Sequence, residues 1–400
     1  MLAHPAPLRD ELAQALPERP FSIEFWDGSR LDATNGRGPT FHVRSPAAVA
    51  HALRAPGQLG LGRAYVSGNL DVDDLDAALE LLAKWEAPSL DGRTRARLAF
   101  AAARAAGITR PPPVPAAELR PRGRRHSVER DARAVRHHYD VSNDFFALFL
   151  GESLTYSCAV FSRGAKTLEE AQETKLELVC SKLGLQPGER VLDVGCGWGS
   201  FPIHAARHHG VQVTGITLSP PQAELARQRV AEAGLADQVE IRVADYRELA
   251  DEPFDAIASI GMVEHVGANQ IDHYAHQLAR MLRPGGRLLN HGIARVRHGD
   301  PEAGPFSERY VFPDAAPLHL SRIISALEGA GMPIDHVEGL ADDYAETLRH
   351  WTRRFDENLE EARRLAGDER ARVWRLYLRA ARNGFVTGFT SIYQVRCRKP

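Results

Sequence analysis

Cysteine is scarce in this chain. Its 400 residues include four, Cys158, Cys180, Cys196 and Cys397. They suggest no disulfide framework, and none is spaced along the chain as metal ligands are. A reducing cytosol fits such usage. Long apolar runs are also missing. No stretch approaches the ~20 residues that a membrane-spanning helix needs, so any membrane contact is expected to be peripheral. Met1–Pro20 is broken by prolines and charges and does not read as a secretion signal. Charge of one sign is lacking too: 50 basic residues face 52 acidic ones, a net of −2, which argues against a general nucleic-acid binder. No internal repeat is visible.

What is present suffices for a sizeable core, since 44% of residues are hydrophobic. The length suggests about two or three domains. Phe21–Trp26 and Thr40–Val43 are predicted strands, with a turn at Asn35–Pro39. Pro46–Arg54, Asp74–Lys84 and Arg93–Ala106 are predicted helices, while Gly57–Tyr65 mixes glycine and apolar residues. Pro111-Pro112-Pro113-Val114-Pro115 must be extended, because proline fixes φ and removes a donor. The expected division is an accessory region, 1–107, a linker, 108–128, and a catalytic region, 129–400. Arg120, Arg122, Arg124, Arg125, Arg130, Arg133 and Arg136 crowd the second boundary, opposed by Glu129 and Asp131. Such a run is either a solvated linker or a patch that meets anionic lipid head groups.

From Val191 onward strands and helices alternate, the mark of a parallel α/β sheet. Val191–Val194, Gln212–Ile216, Val239–Ala244, Phe254–Ile260 and Arg287–His291 are its predicted strands. Pro221–Ala233, Ile271–Leu282 and Leu318–Gly329 are helices, the second stopped by Pro284-Gly285-Gly286. Ile334–Glu338 and Thr390–Cys397 are later strands, and Tyr344–Glu361 and Asp368–Ala381 are long helices.

The first strand of this region runs into Asp193-Val194-Gly195-Cys196-Gly197-Trp198-Gly199. Glycines at alternate positions allow positive φ and a close approach of backbone to ligand. An acid followed by this turn resembles the S-adenosylmethionine (SAM) pocket of class I methyltransferases. That resemblance implies a Rossmann-like doubly wound sheet, with Gly195, Gly197 and Gly261 near the ligand and Asp193 orienting the turn. The second strand ends without a carboxylate. Thr217, Ser219 and Gln222 can replace one with neutral hydrogen bonds, although Ser219 before Pro220 and Pro221 also suits a helix cap. After the third strand come Asp245 and Tyr246, an acceptor and a ring suited to adenine.

Four further segments carry chemistry: His138–Phe146 with Leu154–Cys158, Ser259–Gly267, Asn290–Ile293, and Asp343–Trp351. Together with the glycine turn they resemble the cyclopropane-fatty-acyl-phospholipid synthases and the related mycolic acid cyclopropane synthases. The likeness covers about Glu129–Pro400, and more weakly Phe21–Lys84. It implies a SAM-dependent C-methyltransferase that converts a cis double bond of a phospholipid acyl chain into a cyclopropane. It also implies bound bicarbonate as base, held by Cys158, Glu264, His291, Tyr344 and the backbone N–H of Ile293. Tyr156, Ser157 and Leu218 are implied to touch SAM as well. The small amino-terminal α+β region resembles the accessory domain of phospholipid-acting members. A cytoplasmic protein on the inner face of the membrane is expected, as a homodimer, with unsaturated phospholipid as its partner. A methyl-branched or methylene product from the same cation is the alternative, and non-catalytic lipid transfer a distant one. Two departures stand out. Gly292 replaces a common threonine and is expected to loosen a turn, and Asp314-Ala315-Ala316-Pro317 lacks the usual glycine-rich turn beside a segment expected to line the acyl tunnel.

Overall fold

Short strands between capped helices build the amino-terminal region. Strands β1 (Ser22–Glu24), β2 (Arg30–Leu31), β3 (Thr40–Val43) and β4 (Leu70–Val72) form a sheet in the order β2-β1-β3-β4. The helices are Ala6–Ala15, Pro46–Arg54, Gln58–Val66, Leu75–Lys84 and Gly92–Ala106. Ser45, Asp74 and Asp91 cap three of them, each accepting from a backbone N–H at 3.2, 2.9 and 2.7 Å. Two helices were not expected. Ala6–Ala15 tolerates proline because it sits at the first turn. Gln58–Val66 forms in spite of two internal glycines, with Tyr65 and Val66 buried, so packing overrides propensity.

The computed structural model describes residues 4–107, 111–119, 130, 142–299 and 304–400. The arginine-rich run, Arg130 apart, and the expected segment His138–Val141 lie outside these residues. One packing unit comprises Met1–Leu119, Gly304–Val311 and Ala366–Asn383. The other comprises Arg120–Ala303, Phe312–Leu365 and Gly384–Pro400. This differs from a simple division at 107 and 128. In the first unit Glu118 is buried against Arg63 in a bidentate pair at 2.6 and 2.7 Å, and Tyr310 donates to it at 3.2 Å. Arg372 stacks over the Tyr65 ring at 4.1 Å.

In the second unit the expected strands line up as one sheet. They are β5 (Arg190–Val194), β6 (Gln212–Thr217), β7 (Val239–Val243), β8 (Phe254–Ile260), β9 (Leu282–Arg295), β10 (Ile334–Gly339) and β11 (Thr390–Arg398). The order is β10-β11-β9-β8-β5-β6-β7. The strands from β5 to β9 pair in parallel, and β11 runs antiparallel to both β9 and β10. Chain order reverses between β5 and β8, so the ligand crevice of a doubly wound sheet falls at their carboxyl ends. Strand β9 is longer than expected. It takes in Pro284–Gly286 and pairs with β8 from Leu282 onward, so the preceding helix ends at Met281 without help from the proline. Helix Ala341–Glu357 stops at Asn358, and the next helical stretch breaks at Gly367, φ 79°. Phe145, Phe146, Phe149, Trp198, Trp351 and Phe355 are fully buried. Each such side chain is worth about 1.5–3 kcal/mol. No helix among the described residues is long and apolar enough to cross a membrane.

Candidate active site

Strand β5 ends at Val194, and the chain turns back on three left-handed glycines, Gly195, Gly197 and Gly199, at φ 86°, 55° and 82°. A side chain is disfavoured at such φ, which is why the sequence spends glycine here. The backbone N–H groups of Gly195 and Cys196 both donate to the Ile216 carbonyl, at 3.0 and 2.9 Å. This ties the turn to β6 and frees the crevice beyond.

A cavity opens over that turn. Of the residues that sequence put near SAM, it is lined by Tyr156, Ser157, Asp193, Gly195, Gly197, Thr217, Leu218, Gln222, Asp245, Tyr246 and Gly261. Ser219 is absent from the lining. It is fully buried, and its hydroxyl accepts from the Gln222 N–H at 3.4 Å as the cap of helix Pro220–Glu232. Ser219 thus serves as the helix cap. Thr217 donates to Gln222 Oε1 at 2.8 Å, which presents both side chains at the end of β6. Asp245 is more occupied than expected. Arg247 grips it through Nε at 2.8 Å and Nη2 at 2.6 Å, so an adenine amine must share the carboxylate. Tyr246 packs edge-on to Tyr274 at 5.5 Å.

Asp193 and Lys175, both lining the cavity, are almost wholly buried. Burial pushes the Asp193 carboxyl up to about 7, against the pull of Lys175. Burial likewise brings Lys175 down to about 8, with Asp193 opposing. Lys175 Nζ donates to Ser157 Oγ at 3.0 Å, whereas Asp193 Oδ1 has no hydrogen-bond partner among the described residues.

The five residues implied to hold an anion are outside that cavity lining: Glu264 in the turn after β8, His291 and Ile293 on β9, Tyr344 on helix Ala341–Glu357, and Cys158 in the chain before helix Leu168–Leu183. Glu264 sits in the 3-10 turn Val263–His265 after β8, between the cavity-lining Met262 and His265. Burial raises its carboxyl to about 7, and the backbone N–H groups of Glu264 and Ile293 pull it down only in part. His291, on β9, has no exposed surface, and burial lowers its ring to about 3. It is neutral at ordinary pH. Gln394 on β11 lies 2.9 Å from His291 Nδ1, and Gln394 Oε1 accepts from Lys182 at 2.6 Å. Lysine can only donate, so the amide must turn its NH₂ toward Nδ1. The imidazole therefore carries its proton on Nε2. Both Glu264 Oε2 and His291 Nε2 lack hydrogen-bond partners among the described residues.

Cys158 and Tyr344 are brought together by helix Ala341–Glu357. Asp343 accepts from the Phe161 and Ser162 N–H groups at 2.6 and 2.8 Å, and Thr347 Oγ1 from Ala159 at 3.0 Å. The Cys158 thiol and the Tyr344 N–H both point to the Leu340 carbonyl, at 3.7 and 3.0 Å. Leu340 in turn donates to Ile392, which pairs with Ile293 across β11 and β9. Burial pushes the Cys158 thiol well above its ordinary range, and the Asp343 charge adds to this. It is a donor, not a thiolate.

Gly292 corrects an expectation. It lies within β9, not in a turn, and pairs with Tyr393. A Cβ there would come within 2.2 Å of Val263 Cγ1 and 3.1 Å of Glu264 Oε2. Glycine thus seats the Glu264 turn tightly against β9. Asp314 replaces the missing glycine of the later turn. It adopts φ 64°, a conformation that Asp tolerates better than most residues, and pairs with Arg130 Nη2 at 2.6 Å. The Ala316 N–H donates to the Glu264 carbonyl at 2.8 Å.

Sequence reasoning assigned no role to several cavity residues, Lys175, Trp198, Arg247, Met262 and His265 among them, whereas Phe312–Asp314 belong to the segment expected to line the acyl tunnel. Lys175 comes from helix Leu168–Leu183, which no expectation covered. Its signal was available, since Thr167 and Glu170 form a capping box.

Comparison with known proteins follows the same lines. The family model described as mycolic acid cyclopropane synthetase matches residues 126–395. A probable fatty acid methyltransferase of Mycobacterium tuberculosis is 40% identical, over 97% of this chain and 93% of that protein. The cyclopropane-fatty-acyl-phospholipid synthase of Escherichia coli is 32% identical over 91% and 89%. Among solved structures, a mycolic acid cyclopropane synthase complexed with SAH and CTAB superposes with a TM-score of 0.64 at 34% identity, over 67% of this chain and 98% of that one. The fold is that of class I SAM-dependent methyltransferases.

Proposed function

The chain belongs to the mycolic acid cyclopropane synthetase family and is a SAM-dependent methyltransferase that acts on lipids; on that premise we propose that its substrate is an unsaturated phospholipid acyl chain and its product a cyclopropane. The cis double bond attacks the sulfonium methyl, and SAH leaves. The resulting cation loses a proton from the new methyl group, and the freed electron pair closes the ring.

In this reading Tyr156, Ser157 and Lys175 face the methionine end of SAM. Thr217 and Gln222 meet the ribose, and Asp245 and Tyr246 the adenine. Gly195, Gly197, Leu218 and Gly261 line the space between, while Asp193 steadies the turn. A cation formed here must be kept from water, and it needs a base close to the new methyl group.

One observation carries the base site. Two fully buried polar atoms, Glu264 Oε2 and His291 Nε2, stand without partners among the described residues, on adjoining strand ends beside the cavity. A neutral imidazole that donates from Nε2, with a thiol, a phenol and a backbone N–H as further donors, fits an oxyanion. The Glu264 carboxylate fits an anion that still carries an O–H. Bicarbonate meets both demands and, when bound, supplies the proton acceptor. Glu264 makes it more basic by like-charge repulsion.

The second reading is a methylene or methyl-branched product from the same cation. The 40% identity to a probable fatty acid methyltransferase over nearly the whole chain favours it. A methylene product also loses a proton, whereas a saturated branch needs a hydride donor as well. Proton NMR of lipids from a host rich in monounsaturated phospholipid separates these outcomes. Upfield ring protons support cyclopropanation, and olefinic or methyl-doublet signals in their place overturn it.

A further inference from the structure

The structure holds a second cluster of ligating side chains, on the outer side of two helices that flank the SAM cavity. Helix Leu168–Leu183 supplies Glu177 and Cys180, three residues apart and so on one face. Helix Ser200–His209 supplies His204 and His209. The Cys180 sulfur and one ring nitrogen from each histidine all lie within 4.8 Å of one another. Glu177 Oε2 is 3.3 Å from His204 Nε2 and 3.0 Å from His209 Nε2. Ser181 donates to the other carboxylate oxygen at 3.0 Å and so aims Oε2 at the histidines. A recess lined by Glu170, Glu173, Thr174 and Glu177 leads to His204 and gives an approaching cation an acidic path.

We propose that Cys180, His204 and His209, with Glu177 beside the two imidazoles, form a site for a borderline-soft divalent cation of the zinc class. Tetrahedral zinc with bonds of about 2.0–2.3 Å sets its ligand atoms roughly 3.3–3.8 Å apart. The Glu177–imidazole spacings of 3.3 and 3.0 Å already suit this, whereas the sulfur and ring nitrogens, within 4.8 Å of one another, must close by up to about 1 Å. Thiolate, imidazole and carboxylate together select zinc or cobalt over magnesium and calcium. A hydrogen-bonded network accounts for Glu177 and the two imidazoles, while Cys180, packed in the apolar core, brings its sulfur within 4.8 Å of a nitrogen of each ring. On binding, Cys180 would release its proton to solvent. Linear spacing hides the set, because its members come from two helices separated in sequence by strand β5. The same helices carry Lys175, Ser200 and Phe201 into the SAM cavity, so a bound cation would brace its walls.

Cobalt(II) is the probe, added to metal-free full-length protein. The expected result is one equivalent bound, with intense tetrahedral visible bands and a thiolate-to-cobalt charge-transfer band, both bleached by zinc. Cys180→Ser should abolish the charge-transfer band, and Cys180→Ser and His209→Ala should each weaken binding at least tenfold. His208→Ala should change neither, since that ring packs on His204 at 4.6 Å and is not among the clustered ligands. Far-UV circular dichroism and SAM binding check that each variant folds. Should the buried Cys180 variant not fold, His209→Ala, nearer the surface, carries the test. A pale octahedral spectrum without a thiolate band, or wild-type affinity in folded His209→Ala, overturns the site.

Discussion

At the scale of single residues, Glu264 and His291 are set apart by burial, and each carries a consequence. Replacing Glu264 by Gln should cut turnover at least tenfold, about 1.4 kcal/mol of barrier, with SAM affinity retained. Wild-type turnover at fixed bicarbonate should climb as pH rises through about 7, where Glu264 ionises, and Glu264→Gln should lose that limb. Stability moves the other way. The folded carboxyl sits near 7 and the ordinary value is 4.5, so the native state binds the extra proton between them. Native stability therefore falls as pH rises across that window. In urea unfolding, Glu264→Gln should gain on wild type between pH 5 and pH 8; equal gaps at both values would show that the carboxyl is not raised. Gln394 acts through His291. Gln394→Leu should lower turnover about tenfold while leaving SAM binding intact, because it releases the imidazole tautomer. Unchanged turnover would remove that role. Gly292→Ala tests the close approach: with Val263 in the way, it should cost about 1–3 kcal/mol of stability.

At the scale of elements, legibility followed burial. Strands β5 and β8 were readable as mostly apolar runs, as a strand covered on both faces should be, and β7, at the sheet edge, by its alternation. Helix Leu168–Leu183 was not. Gln172 and Lys175 lie on its buried face, which blurs the apolar stripe that marks an amphipathic helix. Its amino end rests on the Thr167–Glu170 box, so Thr167→Ala should lower stability by about 1 kcal/mol in chemical denaturation. The antiparallel turn of β11 against β9 was equally hidden. A strand reveals its alternation but not its neighbour, and it is this pairing that places Gln394 beside His291. The glycine turn was readable because positive φ leaves a compositional trace, whereas the grip of Arg247 on Asp245 leaves none.

At the scale of the whole molecule, the first packing unit could not be read from sequence. Two of its three segments come from late in the chain, and long-range packing of that kind has no local signature. The function we propose requires the protein to meet lipid while no described helix crosses a membrane. The basic run from Arg120 to Arg136 suits a peripheral contact with anionic head groups. Full-length protein should therefore sediment with anionic vesicles and not with neutral ones, and release as salt rises. Equal binding to both would exclude an electrostatic contact. The central claim is that the transferred methyl group gives up a proton at the Glu264–His291 site. SAM carrying a fully deuterated methyl group tests this most directly, with the product read by mass spectrometry and NMR. Two deuterium atoms should remain on a ring carbon between upfield methine protons; a product that keeps all three rules out proton loss from the transferred methyl group.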